Sequence, residues 1–346
     1  MATGRLRFVA PERLAGVAHV MVDGAARPGT AYTLSHWPRT PTPVALRGDL
    51  SAEIVQEARR HPEALPEAVA VASTDHYDVD GVVALGLLLC DGLAARHGPL
   101  LVEAARVGDF DVVRDARAAR LAFALNALDG PGPAVGDRVE HALGLVEDLA
   151  DDVEGHEALW GAEWAAYDAS VRAMSEGRVV VEERPDLDLA VVRIGPDHDR
   201  AGAGWGGAAL HRAAVHSATT CLRVAVLDPG AACFYYRYES WVRLTGPGGH
   251  RRPRPRVDLT RLAERLSAVD AGDGAWHFEG AGALTASLSW RGSQASTVAP
   301  ADFLERLAET LADLDHGPPA WDPYQSVPGP PGAETRRRWR RRSGHR

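Results

Sequence analysis

The stretch Val69–Leu88, VAVASTDHYDVDGVVALGLL, determines the predicted fold class of this 346-residue chain. It begins within a run of small and branched residues, 68–74, which predicts a short buried strand. A polar turn, DHYDVDG at 75–81, follows the strand. The next run, 82–98, is apolar on nearly every side in its first turns and predicts a helix buried in a core. This order is typical of an α/β unit whose turn lies at the carboxyl end of a strand, where open α/β sheets bind ligands.

The rest of the chain changes character after about residue 176. Helical periodicity dominates before that point, whereas β-like runs such as RVVVEE and LDLAVVRIG alternate with shorter helices after it. We therefore expect an α/β fold, with a mostly parallel sheet flanked by helices and a second, smaller α+β domain. The predicted division is an N-terminal α/β domain at 1–176, the smaller domain at 177–316, and a disordered tail at 317–346 that is Pro/Gly-rich and then Arg-rich.

Four side chains that could bind a metal lie together in the polar turn: Asp75, His76, Asp78 and Asp80. In an extended segment, residues two apart point the same way, so His76, Asp78 and Asp80 would share one side. Hard carboxylate oxygens with one imidazole suit Mn²⁺ or Mg²⁺. Gly81 would relieve the tight turn into the helix. The turn therefore predicts a site for Mn²⁺ or Mg²⁺.

Two of the three known kinds of site that the turn could form match it poorly. An EF-hand loop fails, because Gly81 as its sixth residue would make His76 the first and Leu87 the twelfth, and neither is acidic. A haloacid-dehalogenase-like phosphatase site matches the DxDG pattern, with Asp78 as the nucleophile. That family usually uses a later lysine, which this chain lacks, and a later acidic pair that has no counterpart after a strand here.

The third kind of site fits best, because VAVASTDHYDVDGVVALGLL resembles the first motif of the DHH phosphoesterase superfamily. It is most similar to the RecJ-like form, in which a strand leads into DYDxDG and a helix of small residues; His76 takes the place of the first Asp. The resemblance implies that His76, Asp78 and Asp80 are catalytic residues and metal ligands. The second family motif is a single downstream Asp. Asp109, in the predicted helix interruption ARVGDFD, is its match, with Asp111 as the fallback.

The third motif of that superfamily, Asp-His-His after a strand, has one comparable place in this chain. It is LAVVRIGPDHD, which has a single histidine, His198, between Asp197 and Asp199. The resemblance makes His198 a candidate metal ligand. If His198 does not enter the site, the second metal position is either degenerate or filled by His36 or Asp49 from the N-terminal segment.

The C-terminal half resembles the smaller, substrate-binding domain that DHH phosphoesterases often carry. The order FYYRYESWVRL, VDLTRLAERL, AWHFEGAGALTAS is similar to that domain's strand, helix and glycine-rich turn. The resemblance implies that Arg237 or Arg243, together with His277, binds a substrate phosphate. Gly280 and Gly282 would remain from the glycine-rich turn.

Other conspicuous residues are better explained by packing. His211 and His216 lie five apart on a predicted helix, which differs from the i,i+4 spacing of paired helical ligands. The tyrosines 235, 236 and 238 predict packing in a sheet.

Composition excludes several classes of function. All 38 basic residues are arginine, so Schiff-base, pyridoxal-phosphate and P-loop chemistry is ruled out. The codon bias behind such a composition is that of GC-rich genomes such as those of actinobacteria. Three cysteines without a CxxC pair predict a reducing, cytoplasmic location. We expect no signal peptide and no membrane association, because the N-terminus lacks an apolar core and no apolar run reaches about 18 residues.

The net charge of −9 is unevenly distributed. Residues 333–346 carry seven arginines and one glutamate, which leaves 31 arginines against 46 acidic residues in the rest of the chain. An acidic body argues against binding of long duplex nucleic acid. It is compatible with a carboxylate cluster that needs metal ions.

The resemblance as a whole implies a metal-dependent phosphoesterase. Two divalent ions, roughly 3.5–4 Å apart, would activate a water for in-line attack on a small phosphate ester or a short oligonucleotide. Two alternatives stay open: the haloacid-dehalogenase-like phosphatase, and a catalytically degenerate DHH-like module that binds a nucleotide or a protein. The sequence does not fix the oligomeric state, and a homodimer is compatible with it.

Overall fold

Four short parallel strands form the first sheet. In the computed structural model, the residues described are 6–65, 69–131, 133–198, 210–238, 244–246, 249–251 and 254–322. The strands are β1 (Arg7–Phe8), β2 (His19–Val22), β3 (Thr30–Leu34) and β4 (Val71–Ser73), in the order β1-β4-β2-β3. Every pair is parallel. The central strands β2 and β4 are buried along their whole length, as expected for a sheet covered on both faces.

The described residues before the second sheet form six α-helices. They are α1 (Ser51–Arg60), α2 (Val79–Leu89), α3 (Asp91–Phe110), α4 (Ala116–Ala127), α5 (Val135–Asp151) and α6 (Glu157–Ser175). The prediction of a buried helix after the acidic turn is confirmed, since every residue of α2 from Val79 to Leu88 is buried. The helical region is interrupted as predicted, but at 111–115 and not at 107–111, because α3 continues without a break to Phe110.

The second sheet has six strands. In chain order they are β5 (Val179–Arg184), β6 (Leu189–Ile194), β7 (Arg223–Asp228), β8 (Ala231–Tyr236), β11 (Ala275–Phe278) and β12 (Ser287–Arg291). The spatial order is β11-β12-β8-β7-β6-β5, and only β6 and β7 pair in parallel. Strands β9 (Leu244–Gly246) and β10 (Gly249–Arg251) form a separate antiparallel pair.

Three helices accompany the second sheet. Helices α8 (Thr260–Val269) and α9 (Pro300–Leu314) share a hydrophobic core with one face of it, and α7 (Arg212–Ser217) contributes to a core on the other face. The expected α/β class is therefore confirmed: an all-parallel sheet flanked by helices is followed by a second unit with a mixed sheet.

The predicted division at residue 176 lies between α6 and β5. Helix α6 contributes Trp160 to the core of the first sheet and Ala173 to a core of the second. Residues 317–322, the beginning of the predicted tail, return to the second unit, where the Arg256 backbone N–H donates to the Trp321 carbonyl at 2.9 Å. The rest of the predicted tail lies outside the described residues.

None of the described helices combines the length and the apolar character that crossing a bilayer requires.

Candidate metal centre

Three neighbouring strands of the first sheet end at the same edge, and each delivers polar side chains there. Asp23 directly follows β2, His36 follows β3 by two residues, and the acidic turn follows β4. Because the strands are parallel and adjacent, their carboxyl ends meet. Asp23 adopts a left-handed backbone conformation (φ 47°), a strained arrangement that concentrates at functional sites.

The first set of possible ligands, called here the His36 group, consists of Asp23, His36 and Asp80, with Asp109 beside it. The His36 Nε2 atom lies 3.4 Å from Asp23 Oδ1, 3.9 Å from Asp80 Oδ2 and 3.2 Å from Asp109 Oδ2. The side chains of His36, Asp23 and Asp80 are fully buried. One imidazole is thus surrounded by three carboxylates.

The second set, called here the His76 group, consists of Asp23, His76 and Asp78. The His76 Nε2 atom lies 3.5 Å from Asp23 Oδ2 and 2.7 Å from Asp78 Oδ2. The two groups share Asp23, whose Oδ1 faces His36 and whose Oδ2 faces His76. Asp23 could therefore contribute one carboxylate oxygen to a cation held by either group.

The His76 ring is oriented by a second carboxylate. Its Nδ1–H donates to Asp75 Oδ1 at 2.9 Å, which turns Nε2 toward Asp23 and Asp78. Asp75 is held by the Ala25 backbone N–H at 3.1 Å and lies 3.6 Å from the Arg27 guanidinium. A carboxylate behind a ligating histidine is the usual support of a metal-binding imidazole.

Backbone donors at the start of α1 fix the innermost carboxylate. Asp80 accepts the N–H groups of Ser51 at 2.6 Å and Ala52 at 2.8 Å, where the helix dipole also favours a negative charge. The Ser51 hydroxyl donates to Asp23 Oδ1 at 2.7 Å, and the His36 backbone N–H donates to Ser51 Oγ at 3.2 Å. The first turn of α1 therefore holds three of the ligand residues in register.

Two glycines allow the carboxylates to come together. A Cβ atom on Gly81 would lie 3.0 Å from Asp78 Oδ1 and 3.3 Å from Asp23 Oδ2. A Cβ atom on Gly108 would lie only 2.4 Å from Cβ of Val79. The close approach of α3 to the first turn of α2 at Gly108 brings the next residue, Asp109, beside His36.

Three of the carboxyls are held in an environment that disfavours their charge. Burial, together with the charges of Asp78 and Asp23, raises the pKa of Asp109 to about 7, although its contact with His36 opposes the shift. Burial and the neighbouring charges of Asp109 and Asp23 raise the pKa of Asp80 well above its usual range. Burial and Asp23 likewise raise the pKa of Asp78. These carboxylates need positive charge if all are to ionise together.

The pKa values of His36 and His76 are also raised, which for a histidine favours the charged form. Contacts with Asp109 and Asp23 outweigh burial and raise the pKa of His36 well above its usual range. Contacts with Asp75 and Asp78 outweigh burial and raise the pKa of His76 to about 11. The pKa of Asp23 falls to about 2, because His36, His76 and Ser51 outweigh the effect of burial. Protons on the histidines therefore supply the positive charge that a bound cation would replace.

Three buried atoms of this cluster lie at ion-pair distance from a neighbouring side chain but make no aligned hydrogen bond among the described residues. Asp23 Oδ2, His36 Nε2 and Asp109 Oδ2 are buried, and none makes an aligned hydrogen bond within the described part of the chain. Buried polar atoms normally make hydrogen bonds, so three converging atoms without an aligned one require an explanation. Hard carboxylate oxygens with imidazole nitrogens fit Mn²⁺ or Mg²⁺.

Four of the residues predicted from the sequence meet at this centre: His76, Asp78, Asp80 and Asp109. His198, the fifth predicted ligand, belongs to neither group; it follows β6 of the second sheet, and its backbone N–H donates to the Gly195 carbonyl. The first group instead contains His36, which the sequence suggested as a substitute. The other substitute, Asp49, also lies outside both groups, and its backbone N–H donates to Glu53.

Sequence reasoning missed Asp23, which is the residue that both groups share. A signal for it exists, since HVMV followed by Asp23 and Gly24 repeats the pattern of an apolar strand followed by an acid and a small residue. A Cβ atom on Gly24 would lie 2.7 Å from Asp75 Oδ1, so this glycine lets the two strand ends approach.

Arg237, one of the two arginines predicted to bind a substrate phosphate, donates hydrogen bonds to backbone carbonyls of the protein. Arg237 is buried, and its Nη1 donates to the backbone carbonyls of His216, Thr219 and Cys221 at 2.9–3.3 Å. This guanidinium holds the chain that connects α7 to β7. The other candidate, Arg243, lies outside the described residues.

The remaining predicted substrate residues lie at one end of the second sheet. His277 is exposed on the edge strand β11, and Gly280 and Gly282 lie in the turn that follows. Gly280 has φ 92°, a conformation that favours glycine. The turn is held by the buried Arg256, which donates to the carbonyls of Ala281, Ala283 and Leu284. No described contact joins these residues to the candidate centre.

The chain belongs to a family of unknown function, DUF6687, whose family model matches residues 4–308. The match includes both sheets and every residue of the His36 and His76 groups. No curated protein and no solved structure matches the chain.

Proposed function

We propose that this member of DUF6687 is a phosphoesterase that depends on Mn²⁺ or Mg²⁺ and acts on a small phosphorylated substrate or a short oligonucleotide. The observation that supports it is the convergence of buried candidate ligand atoms from Asp23, His36 and Asp109, none of which makes an aligned hydrogen bond within the described residues, next to a second group that shares Asp23. The resemblance of the turn at 75–81 to the first DHH motif supports the same activity.

The candidate ligands would form two groups, one for each cation. Asp23, His36, Asp80 and Asp109 would hold one cation, and Asp23, His76 and Asp78 the other. Bound cations of this kind lower the pKa of water and neutralise charge on a phosphate group. Asp75 would keep the His76 ring turned toward the centre, and Ser51 would keep Asp23 between the two groups.

Charge explains why a phosphate ester fits this centre. A phosphate anion is repelled by a cluster of carboxylates, but it is attracted once cations are bound among them. A divalent cation held by oxygen ligands is therefore the simplest means by which this site could attract such a substrate.

The haloacid-dehalogenase-like alternative is less well supported. Its nucleophile would be Asp78, whose Oδ1 accepts the Gly81 backbone N–H at 2.7 Å and whose Oδ2 accepts His76 Nε2–H at 2.7 Å. Both oxygens are thus engaged in holding the turn. A phosphorylated Asp78, trapped during turnover and identified by mass spectrometry, would favour that alternative.

The experiment that tests the proposal measures metal binding and hydrolysis together. Titration calorimetry with Mn²⁺ is combined with assays of p-nitrophenyl phosphate, bis(p-nitrophenyl) phosphate and a dinucleotide in Mn²⁺, Mg²⁺ or Co²⁺. The variants are Asp23→Asn and His36→Ala. The control is Asp91→Asn, which removes an exposed carboxylate that pairs with Arg59 on the surface.

We expect wild type and Asp91→Asn to bind Mn²⁺ and hydrolyse at least one ester, and Asp23→Asn and His36→Ala to lose both properties. Metal binding without hydrolysis of any ester would contradict the phosphoesterase and favour the degenerate binding module. If the wild type binds no metal, the proposed metal centre is refuted.

A further inference from the structure

Trp37 is a large aromatic residue whose position no hydrophobic core explains. It is partly exposed, and none of the three cores formed by the described residues includes it. Its Nε1 atom is buried and makes no aligned hydrogen bond within the described part of the chain. The N–H of a buried tryptophan usually finds a partner. Among the described residues, neither core packing nor a hydrogen bond of the indole therefore accounts for the place of this ring.

The Trp37 ring lies beside the His76 group, at the side of the candidate centre that reaches solvent. The ring centroids of Trp37 and His76 are 5.2 Å apart, and the ring planes meet at 46°. The side chains of His76 and Asp78 are 31% and 30% exposed. Those of His36 and Asp23 are fully buried. A ligand that arrives from solvent would therefore meet the centre at the His76 group, with the indole next to it.

The backbone of Trp37 is held on both sides. Its N–H donates to Ser35 Oγ at 3.3 Å, and its carbonyl accepts the Thr40 hydroxyl at 2.8 Å. The residue that follows is Pro38, whose ring restricts φ. The residue that precedes it is His36, whose side chain is enclosed among the carboxylates of its group. An aromatic side chain on such a support is in place before a ligand arrives.

A partly exposed indole beside a phosphate-binding centre suits a substrate that carries a planar aromatic group. Nucleobases stack on aromatic side chains, and every base has a face that can do so. In a nucleotide, a single sugar joins the base to the phosphate. A base that stacks on Trp37 would therefore leave its phosphate next to the His76 group.

We propose that Trp37 determines substrate specificity by stacking on a planar aromatic group that is joined to the phosphate, as in a nucleotide. This inference rests on the proposed phosphoesterase function. It narrows that function to phosphate esters with such a group, and it gives the loop after β3 two tasks. His36 would bind a cation, and Trp37 would bind the part of the substrate that does not react.

The test compares two ligands that differ only in the aromatic group. Adenosine 5′-monophosphate and ribose 5-phosphate are titrated separately into the Mn²⁺-loaded, full-length protein, and Mn²⁺ affinity is measured first, all by calorimetry. Trp37→Leu removes the aromatic face, and Trp37→Phe keeps a smaller one. The matched control is Trp290→Leu on β12, which removes a partly buried tryptophan whose ring lies 6.1 Å from that of Trp276 in the second unit.

We expect the wild type to bind adenosine 5′-monophosphate about 10- to 100-fold more tightly than ribose 5-phosphate, the usual effect of stacking one base. Trp37→Leu should lose this preference, because its affinity for adenosine 5′-monophosphate falls to that for ribose 5-phosphate. Its affinities for Mn²⁺ and ribose 5-phosphate should match those of the wild type. Trp37→Phe should keep part of the preference, and Trp290→Leu all of it.

Four other outcomes would overturn the inference. If the wild type binds Mn²⁺ and both ligands, the ligands with equal affinity, the centre binds phosphate but recognises no aromatic group. If Trp37→Leu keeps the preference, another residue binds the base. If Trp37→Leu loses Mn²⁺, or binds both ligands more weakly to the same extent, Trp37 supports His76 and does not meet the substrate. If the wild type binds neither Mn²⁺ nor ribose 5-phosphate, the proposed function has failed, and the inference fails with it.

Discussion

Replacing Gly108 by alanine tests how the fold places Asp109 in the candidate centre. The added Cβ would lie 2.4 Å from Cβ of Val79 and 3.0 Å from its Cγ2, whereas ordinary contact begins at 3.4 Å. Helices α2 and α3 must therefore separate by about 1 Å, because packed cores have no free space to absorb the methyl group. Asp109, the next residue of α3, moves with the helix, away from His36.

The expected effects follow from that displacement. Overpacking costs about 1–3 kcal/mol, and the better helix propensity of alanine returns about 0.8–1 kcal/mol. We expect a net loss of stability of about 0–2 kcal/mol, measured by urea unfolding in EDTA. A ligand displaced by about 1 Å should weaken Mn²⁺ binding by about 10- to 100-fold in titration calorimetry, comparable to the loss of a supporting residue.

Helix α5 offers a matched control for this substitution. A Cβ atom on Gly144 would have no described atom within 4 Å. Gly144→Ala should therefore gain up to about 1 kcal/mol from helix propensity and bind Mn²⁺ as the wild type does. If Gly108→Ala were stabilised to the same extent and kept the wild-type affinity for Mn²⁺, the close approach at Gly108 would not be what positions Asp109.

Three further predictions concern stability. Mn²⁺ at 100 times its Kd should stabilise the wild type by about 2.7 kcal/mol in urea unfolding, and EDTA should reverse the gain; an unchanged midpoint would argue against binding by the folded state. Burial and two nearby arginines lower the pKa of His216 well below 6.5, so its contribution is complete above about pH 6.5 and is lost as the pH falls below it. The stability difference between wild type and His216→Asn should shrink by up to about 1.4 kcal/mol per pH unit below 6.5, and a difference independent of pH would contradict this. Arg256→Leu should lose about 3 kcal/mol, since it removes a buried guanidinium that donates to the carbonyls of Ala281, Ala283 and Leu284, whereas the exposed Arg291→Ala should change stability by less than about 0.5 kcal/mol; equal losses would refute the assigned role of Arg256.

The part of the centre that the sequence predicts is the part built by local interactions. The turn from Asp75 to Asp80 follows its own strand and precedes its own helix, so periodicity alone places it. Asp78 also begins α2 by accepting the Gly81 N–H, a short-range contact that a residue pattern can indicate. These features require no knowledge of the other strands.

Asp23 and His36 depend on the order of the strands in space. They become neighbours of the turn only because β2 lies between β4 and β3, an order that differs from the order of the strands in the chain. Periodicity carries no information about that order. It could predict that His36 lies near a strand end, but not that its Nε2 faces Asp109.

The predictions for the second sheet rested on the order of motifs, and motif order does not reveal burial. Arg237 lies at the expected place in the chain, yet its guanidinium points into the protein and binds carbonyls. The neighbouring Tyr238, assigned to sheet packing from the sequence, does pack against a core, but it is the core of the first sheet. Alternating apolar and polar residues indicate which face of a strand is buried. They do not indicate which part of the protein lies beyond the end of the strand.

The end of α3 contacts both units of the fold. Its last residues face three partners: Asp109 lies beside His36, the Phe110 carbonyl lies 3.1 Å from His216 Nδ1, and Asp111 lies 2.6 Å from the Arg212 guanidinium. His216 and Arg212 belong to α7 of the second unit. Asp111 ends the helix in a left-handed conformation (φ 55°), so the chain cannot extend regularly past this point. The segment that carries the candidate ligand Asp109 therefore contacts both units of the fold within three consecutive residues.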